Sequence, residues 1–376
     1  MPRRLAALCA CLTVVALLVP AGARAAVPRD FFGVMADGPV FDSPTGFGRE
    51  APAMRAAGVG AVRVAVYWDE IQPYATAADV PGAERDRFTA SVGGRPADLD
   101  ELDGIMATAA RRRLAVMPVV LRSPAWAAAA PGDVASPPRR VSDYARFVGG
   151  LVARYGHGGS FWRAHPAIRA DPVRRWQIWN EPDMTKYWSR QPFVRSYLGL
   201  LRAARDAIRR HDRRAQVVMA GLTNRSWEGL RRLYRAGARG LFDIAAIHPF
   251  SRYVGNVLEI VRRARAVMAQ AGDARTPLLL SEVSWSSGKG QASLVYGWET
   301  TERGQADRLR EAVSAFVRER VRLRLAGFYW YTWLSPKPGS AASFDYAGLR
   351  RLSGDGDVVD KPALAAFRAV VRRSTR

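Results

Sequence analysis

Arg174-Arg175-Trp176-Gln177-Ile178-Trp179-Asn180-Glu181-Pro182-Asp183 is the stretch from which the rest of the chain is best read. Residues 176–179 are apolar and rich in β-forming side chains, apart from Gln177, so they predict a buried strand. Pro182 ends that strand, because proline has no N–H to give to a ladder. Asn180 and Glu181 are then left at its C-terminal tip, which in a parallel α/β barrel is the end that carries chemistry. A carboxylate there suits proton transfer, and the neighbouring amide is free to bind a substrate hydroxyl. The competing reading is a helix start, with Asn180 as N-cap and Glu181, Pro182 and Asp183 in the first turn. The stretch alone divides evenly between the two.

Working outward, the same order of short apolar strand, polar loop and amphipathic helix recurs eight times. Strands are predicted over 31–35, 61–67, 114–121, 174–179, 216–221, 242–248, 277–282 and 324–331. Helices follow them over 48–57, 99–112, 141–155, 194–211, 227–236, 254–271, 301–320 and 362–371. Eight such alternations predict a single-domain (β/α)8 TIM barrel. No repeat or linker divides residues 27–376, and the last helix leaves no room for an accessory domain.

Residues 1–26 read as a secretory signal peptide and not as part of the fold. Arg3 and Arg4 precede an apolar run over 5–19, which is too short to span a membrane comfortably, and small residues over 21–26 offer a cleavage site. The adjacent arginines leave twin-arginine export open beside the general route. Both cysteines, Cys9 and Cys11, fall in this segment, so the exported chain has neither disulfide nor thiol nucleophile. A secreted, extracellular monomer with no membrane span is expected.

The chain has 57 Lys+Arg against 34 Asp+Glu. Without Arg3, Arg4 and Arg24 the balance is 54 against 34, a net +20, and only four of these cations are lysine. The arginines are scattered over predicted helices, as at Arg202, Arg205, Arg209 and Arg210, with no basic–aromatic motif for nucleic acid. A solvated helical surface is the expected reading, and attraction to an anionic cell-surface polymer is the minor one.

The other predicted strand tips are polar in a telling way. Leu278-Leu279-Leu280-Ser281 leads into Glu282. A carboxylate after three leucines must face a polar cavity, since burying it unpaired is costly. Strands four and seven face each other across a barrel, so Glu181 and Glu282 can converge. Paired carboxylates of this kind do general acid and nucleophile work on glycosidic bonds. Arg63, amid Ala61, Val62, Val64 and Val66, needs a carboxylate partner if buried, and Glu282 is the candidate. His248 ends the sixth strand and reads equally as a sugar ligand or a satisfied core histidine. Trp68, Trp126, Trp188, Trp285, Trp298 and Trp333 fall just beyond strand tips, with Trp330 near the end of the eighth strand. Tryptophans around a barrel mouth suggest carbohydrate stacking, although about half of them are expected to be ordinary packing. There is no metal-ligand spacing, phosphate loop or serine triad motif, so no metal or cofactor is expected.

These pieces, in this order, resemble the clan A retaining glycoside hydrolases. Trp179-Asn180-Glu181-Pro182 is similar to the clan's Asn-Glu-Pro signature. Val62-Arg63-Val64 with Trp68 through Pro73, and Ser123-Pro124-Ala125-Trp126, resemble its second- and third-strand motifs. His248-Pro249, Ser281-Glu282 and Trp330 resemble the sixth, seventh and eighth, and Gly348-Leu349 with Lys361-Pro362-Ala363 the closing segment. The Trp-Asn-Glu-Pro-Asp form leans towards family 39 and its exopolysaccharide-degrading endoglycosidase relatives, with family 5 (cellulase-type) next. The resemblance implies Glu181 as acid/base, Glu282 as nucleophile and Asn180 as ligand of the 2-hydroxyl. It implies Arg63 as the group that orients Glu282, and His248 and Trp330 as lining of the central subsite. Trp68, Trp126 and Trp285 complete the expected substrate-binding set. Two departures stand out. Phe250 occupies the place where many members carry a tyrosine against the nucleophile, leaving Tyr253 or another tyrosine to substitute. No counterpart is expected here of the β-sandwich that follows the barrel in family 39 xylosidases.

The expected activity is hydrolysis of O-glycosidic bonds, β-linked by expectation, in a poly- or oligosaccharide, by double displacement. The rivals are a transglycosylase of the same fold and a non-catalytic barrel that binds wall or capsule glycans.

Overall fold

The computed structural model describes residues 26–42 and 45–375. The expected signal peptide therefore lies outside the described residues, apart from Ala26. Eight parallel strands form one sheet: β1 (Phe32–Ala36), β2 (Ala61–Tyr67), β3 (Ala115–Leu121), β4 (Arg175–Ile178), β5 (Gln216–Met219), β6 (Ala245–Ile247), β7 (Leu278–Val283) and β8 (Leu325–Trp330). Their order is β5-β4-β3-β2-β1-β8-β7-β6. The two end strands meet through bridges Val218–Ile244 and Leu222–Ile247, with Met219 N–H donating to Ile244 O at 3.1 Å. The sheet is thus closed into a barrel.

Around it lie α1 (Phe47–Ala57), α2 (Asp100–Arg112), α3 (Val141–Tyr155), α4 (Val194–His211), α5 (Ser226–Arg235), α6 (Val254–Gln270), α7 (Glu302–Glu319) and α8 (Pro362–Ser374). Predicted and observed ends agree to within three residues. The largest strand difference is β6, shorter at its start because the Asp243 carboxylate accepts the Val217 N–H at 2.7 Å and so occupies a ladder donor. α4 shows how the sequence sets its own packing. Tyr197, Leu198, Leu201, Ala204 and Ile208 recur at helical spacing and are buried, while Arg202, Arg210 and His211 face outward. The scattered arginines of this helix are an exposed or half-buried face. Thr301 caps α7 by accepting the Gly304 N–H, and Pro362 opens α8, where its missing N–H costs no hydrogen bond.

Two small sheets were not read from the sequence. A hairpin of Ala90–Val92 and Arg95–Ala97 sits in the long connection between β2 and α2. A three-stranded sheet of Leu334–Ser335, Arg350–Leu352 and Val358–Asp360 fills the connection between β8 and α8. No helix among the described residues is long and apolar enough to cross a membrane.

Candidate active site

Parallel register brings the polar side chains of the lumen to common levels. Met35, Arg63 and Met117 lie side by side on β1, β2 and β3, and Gln177 on β4 pairs with Val119 and Val218. Arg63 is 1% exposed and is the hub. Its Nη1 donates to Glu282 Oε1 at 2.7 Å and to Met35 Sδ at 3.2 Å. Its Nη2 donates to Asn180 Oδ1 at 2.8 Å, and its Nε to Gln177 Oε1 at 2.6 Å. A buried guanidinium this fully paired is tolerable where an unpaired one is not. The expected pairing of Arg63 with Glu282 is present.

The tip of β4 carries unusual backbone. Trp179 has φ 69° and Glu181 φ 39°, bracketing Asn180. Left-handed conformation costs a non-glycine residue about 1–2 kcal/mol, so two in three residues mark a tip held against its own preference, as functional sites often are. The neighbouring strands hold it. Trp179 N–H donates to Val120 O at 2.9 Å and Glu181 N–H to Gly221 O at 3.1 Å. Trp179 Nε1 donates to Tyr187 O at 2.7 Å.

Across the lumen, one oxygen each of Glu181 and Glu282 and one nitrogen of His248 lie within 4.8 Å of one another. His248 is fully buried. Its Nδ1 lies 2.6 Å from Glu181 Oε1 and its Nε2 2.9 Å from Ser281 Oγ, with Glu282 Oε1 at 3.7 Å. These three residues are the ones that could meet a metal ion among the described residues. Both ring nitrogens are already hydrogen-bonded within the protein and Glu282 is held by Arg63, so the arrangement fits proton transfer better than metal binding. His248 can lie there because residue 221 is glycine: a Cβ at Gly221 would stand 2.0 Å from His248 Nε2. Gly221→Ala is therefore expected to displace the ring from Glu181 and Ser281. Activity should fall at least tenfold on every substrate, with a smaller change in melting temperature. Unchanged kinetics would show that the His248 contact does not matter.

Burial dominates the proton affinities. Glu181 is raised to about 8, first by loss of solvent and then by Asp183, with Arg63 and Lys186 opposing. Glu282 is also raised from its ordinary value by burial, against His248 and Arg63, which favour its charged form. His248 is lowered to about 4 by burial and so stays neutral in ordinary buffers. A carboxylic acid that keeps its proton stands beside a carboxyl group whose charged form is favoured by a paired cation.

The aromatic expectations divide. Trp68 is 0% exposed, packed on Trp126, Tyr144 and Phe147, with its Nε1 on Gln72 Oε1. Trp285 is equally enclosed, its Nε1 donating to Arg252 O. Neither offers a face to a sugar, and both are corrected to packing residues: Trp68 lies against Tyr144 and Phe147 of α3, and Trp285 against Trp330 of β8. Trp188, Trp298 and Trp333 are buried as well. Trp330, at the end of β8, is 1% exposed beside Trp285, with Nε1 on Ala347 O, so it is part of the enclosed wall. Trp126 alone of the tryptophans just beyond the tips stays half-buried, under the Arg95 guanidinium.

The tyrosine missing at Phe250 is not replaced by Tyr253, which is 55% exposed and lies against Arg252. Tyr331 is the better candidate. Its ring meets Phe250 at 6.4 Å, and its hydroxyl is pushed well up by burial and then by Asp37 and Glu282. Tyr187 feels both Glu181 and Glu282.

Sequence reading missed Gln177, Asp37, Tyr187 and Gly221. Asp37, at the tip of β1, is hydrogen-bonded by Thr332 and Tyr331. It also lines a cavity of about 900 Å³ formed with Tyr67, Asp69, Glu70, Glu84, Arg87 and Asp98. Asp37 is felt electrostatically by Glu282, but neither Glu181 nor Glu282 lines this cavity.

No protein-family model matches the chain, and no curated protein matches it. Solved structures do. A family 39 glycoside hydrolase from the gut symbiont Bacteroides cellulosilyticus matches with a TM-score of 0.62 at 15% identity, over 92% of this chain and 63% of that one. A family 39 enzyme from Xanthomonas axonopodis pv. citri matches with a TM-score of 0.64 at 16% identity, over 91% and 66%. A family 51 α-L-arabinofuranosidase from Bifidobacterium longum matches with a TM-score of 0.62 at 13% identity, over 94% and 75%. The chain thus spans slightly under two thirds of the first two. At these identities the likeness establishes the (β/α)8 fold.

Proposed function

We propose that this chain is a secreted retaining glycoside hydrolase, with Glu181 as acid/base and Glu282 as nucleophile. The observation that carries the reading is the carboxylate pair itself. One oxygen of Glu181 and one of Glu282 lie within 4.8 Å across the lumen, which supports the close spacing of about 5–5.5 Å used by retaining enzymes over the about 6.5–9.5 Å at which inverting enzymes seat a water. The matched folds of family 39 and family 51 hydrolases support it.

In the first step Glu282 attacks the anomeric carbon while Glu181 gives its proton to the departing glycosidic oxygen. The glycosyl ester leaves Glu282 neutral. Glu181, now ionised, takes a proton from water as the water oxygen attacks the anomeric carbon, and Glu282 leaves as carboxylate. Asn180 Oδ1 is held by Arg63, which turns its Nδ2 hydrogens free to donate to the sugar's 2-hydroxyl. The expected substrate is a poly- or oligosaccharide. Export by removal of residues 1–26 belongs to the same reading.

A panel of aryl glycosides and neutral and anionic polysaccharides tests this, with the first-formed anomer followed by NMR. Hydrolysis with retained configuration is expected. An inverted product would refute the double displacement. Transfer to added sugar in place of water would make the chain a transglycosylase, and binding without turnover would make it a glycan-binding barrel.

A further inference from the structure

Gln177 and Ser281 have no role in the chemistry above, yet both are fully buried between its two halves. Gln177 Oε1 accepts from Arg63 Nε at 2.6 Å. Arginine can only donate, so the orientation of this amide is settled: its Nε2 must point the other way. There it donates to Met219 O at 3.2 Å and to Ser281 Oγ at 3.3 Å. Ser281 Oγ has one further polar neighbour among the described hydrogen bonds, His248 Nε2 at 2.9 Å. If Nε2 carried a proton, the hydroxyl would receive two donors and its own hydrogen would be buried with no acceptor, which is costly. The hydroxyl therefore donates to Nε2. A neutral imidazole with an unprotonated Nε2 carries its proton on Nδ1, and that N–H points at Glu181 Oε1, 2.6 Å away.

We propose that Gln177 and Ser281 are positioning residues which fix His248 in its Nδ1–H tautomer, through a one-way chain of donors running from Arg63 to Glu181. Each group gives a hydrogen to the next: Arg63 to Gln177, Gln177 to Ser281, Ser281 to His248, His248 to Glu181. Hydrogen bonds aligned in this sense polarise and strengthen one another. The chain ties together the two carboxylates, since its head also holds Glu282.

The consequence for Glu181 is specific. With Oε1 occupied as an acceptor, the acidic proton sits on Oε2, the oxygen left to meet the leaving group. When that proton departs, Oε1 already has a donor, so the ionised form needed for the second step is stabilised. The opposite tautomer would face Glu181 with a lone pair and would hold it protonated. The other groups that act on Glu181 are Arg63 from β2, Asp183, Lys186 and Tyr187 from the loop after β4, and Glu282 from β7. Ser281→Ala leaves all of them in place.

The inference rests on the glycosidase reading for its kinetics but not for its first test. Nitrogen-15 NMR of the histidine-labelled full chain, with His248 assigned by His248→Asn, reports the tautomer without any substrate. Nδ1–H is expected in the native protein, changing towards Nε2–H in Ser281→Ala and returning in Ser281→Thr, which restores a hydroxyl. In kcat/KM against pH, Ser281→Ala should move the basic limb up by about one pH unit, the size set by one hydrogen bond to a charged group. Ser281→Thr should move it back. An Nε2–H tautomer in the native protein overturns the proposal, whether or not the variants fold or any glycoside is cleaved. A folded Ser281→Ala with an unmoved limb on an active enzyme overturns its link to Glu181.

Discussion

Glu181→Ala is expected to lose about 10²–10⁴-fold in kcat on a glycoside with an alkyl or sugar leaving group, the range general acid catalysis contributes. On an aryl glycoside with an acidic phenol, the first step should barely slow, because that leaving group departs without a proton. The second step slows on both, since Glu181 is also the base, and the glycosyl ester on Glu282 then accumulates. Added azide should restore turnover of the aryl substrate, as it needs no base to attack, giving a glycosyl azide of retained configuration. In the native site His248 approaches Glu181 Oε1 at 2.6 Å, and the residue's proton is held to about 8 by burial. An acid that keeps its proton across the neutral range fits the first step. Equal losses on the two substrate types, with no rescue by azide, would sink the assignment.

The barrel was legible in the sequence because periodicity and burial agree in it. Strands such as Leu278-Leu279-Leu280 have no polar face, and helices such as 194–211 have a single apolar stripe. The hairpin at 90–97 escaped because its strands are three residues each, too short to establish a period, although Gly93-Gly94 is a turn signal. At the site, Glu181, Glu282 and Arg63 were legible because each is a charge set in an apolar strand. Gln177 carried the same kind of signal, a polar residue inside Trp176-Gln177-Ile178, but an amide is cheaper to bury than a charge and so stands out less. The tryptophans misled for the converse reason. Sequence position beyond a strand tip does not tell which way a ring faces, and Trp68 and Trp285 turn inward, against α3 and β8 respectively. The half-buried rings that feel the carboxylates are instead those of Tyr187 and Tyr331.

Arg63→Met is expected to have the other large effect, on stability and on the nucleophile together. Breaking one side of a buried ion pair costs about 3–5 kcal/mol, and here the change also strips Gln177 Oε1 and Asn180 Oδ1 of their donor. Glu282 is raised by burial, and Arg63 is one of the two groups that oppose the rise. Without the guanidinium the carboxyl keeps its proton to higher pH. Glu282 must be ionised to attack, so the acidic limb of kcat/KM, which reports the free enzyme, should move upward. Stability follows the same direction. A carboxyl whose proton is held more tightly in the folded state contributes stability below its unfolded value of about 4.3. That contribution is lost as pH rises through the folded value. Raising the folded value further extends the loss, so the melting temperature of Arg63→Met should fall furthest below the native protein near neutral pH and approach it towards pH 4. A uniform deficit at every pH, with the acidic limb of a folded variant unmoved, would make Arg63 a packing residue with no part in setting the proton affinity of Glu282.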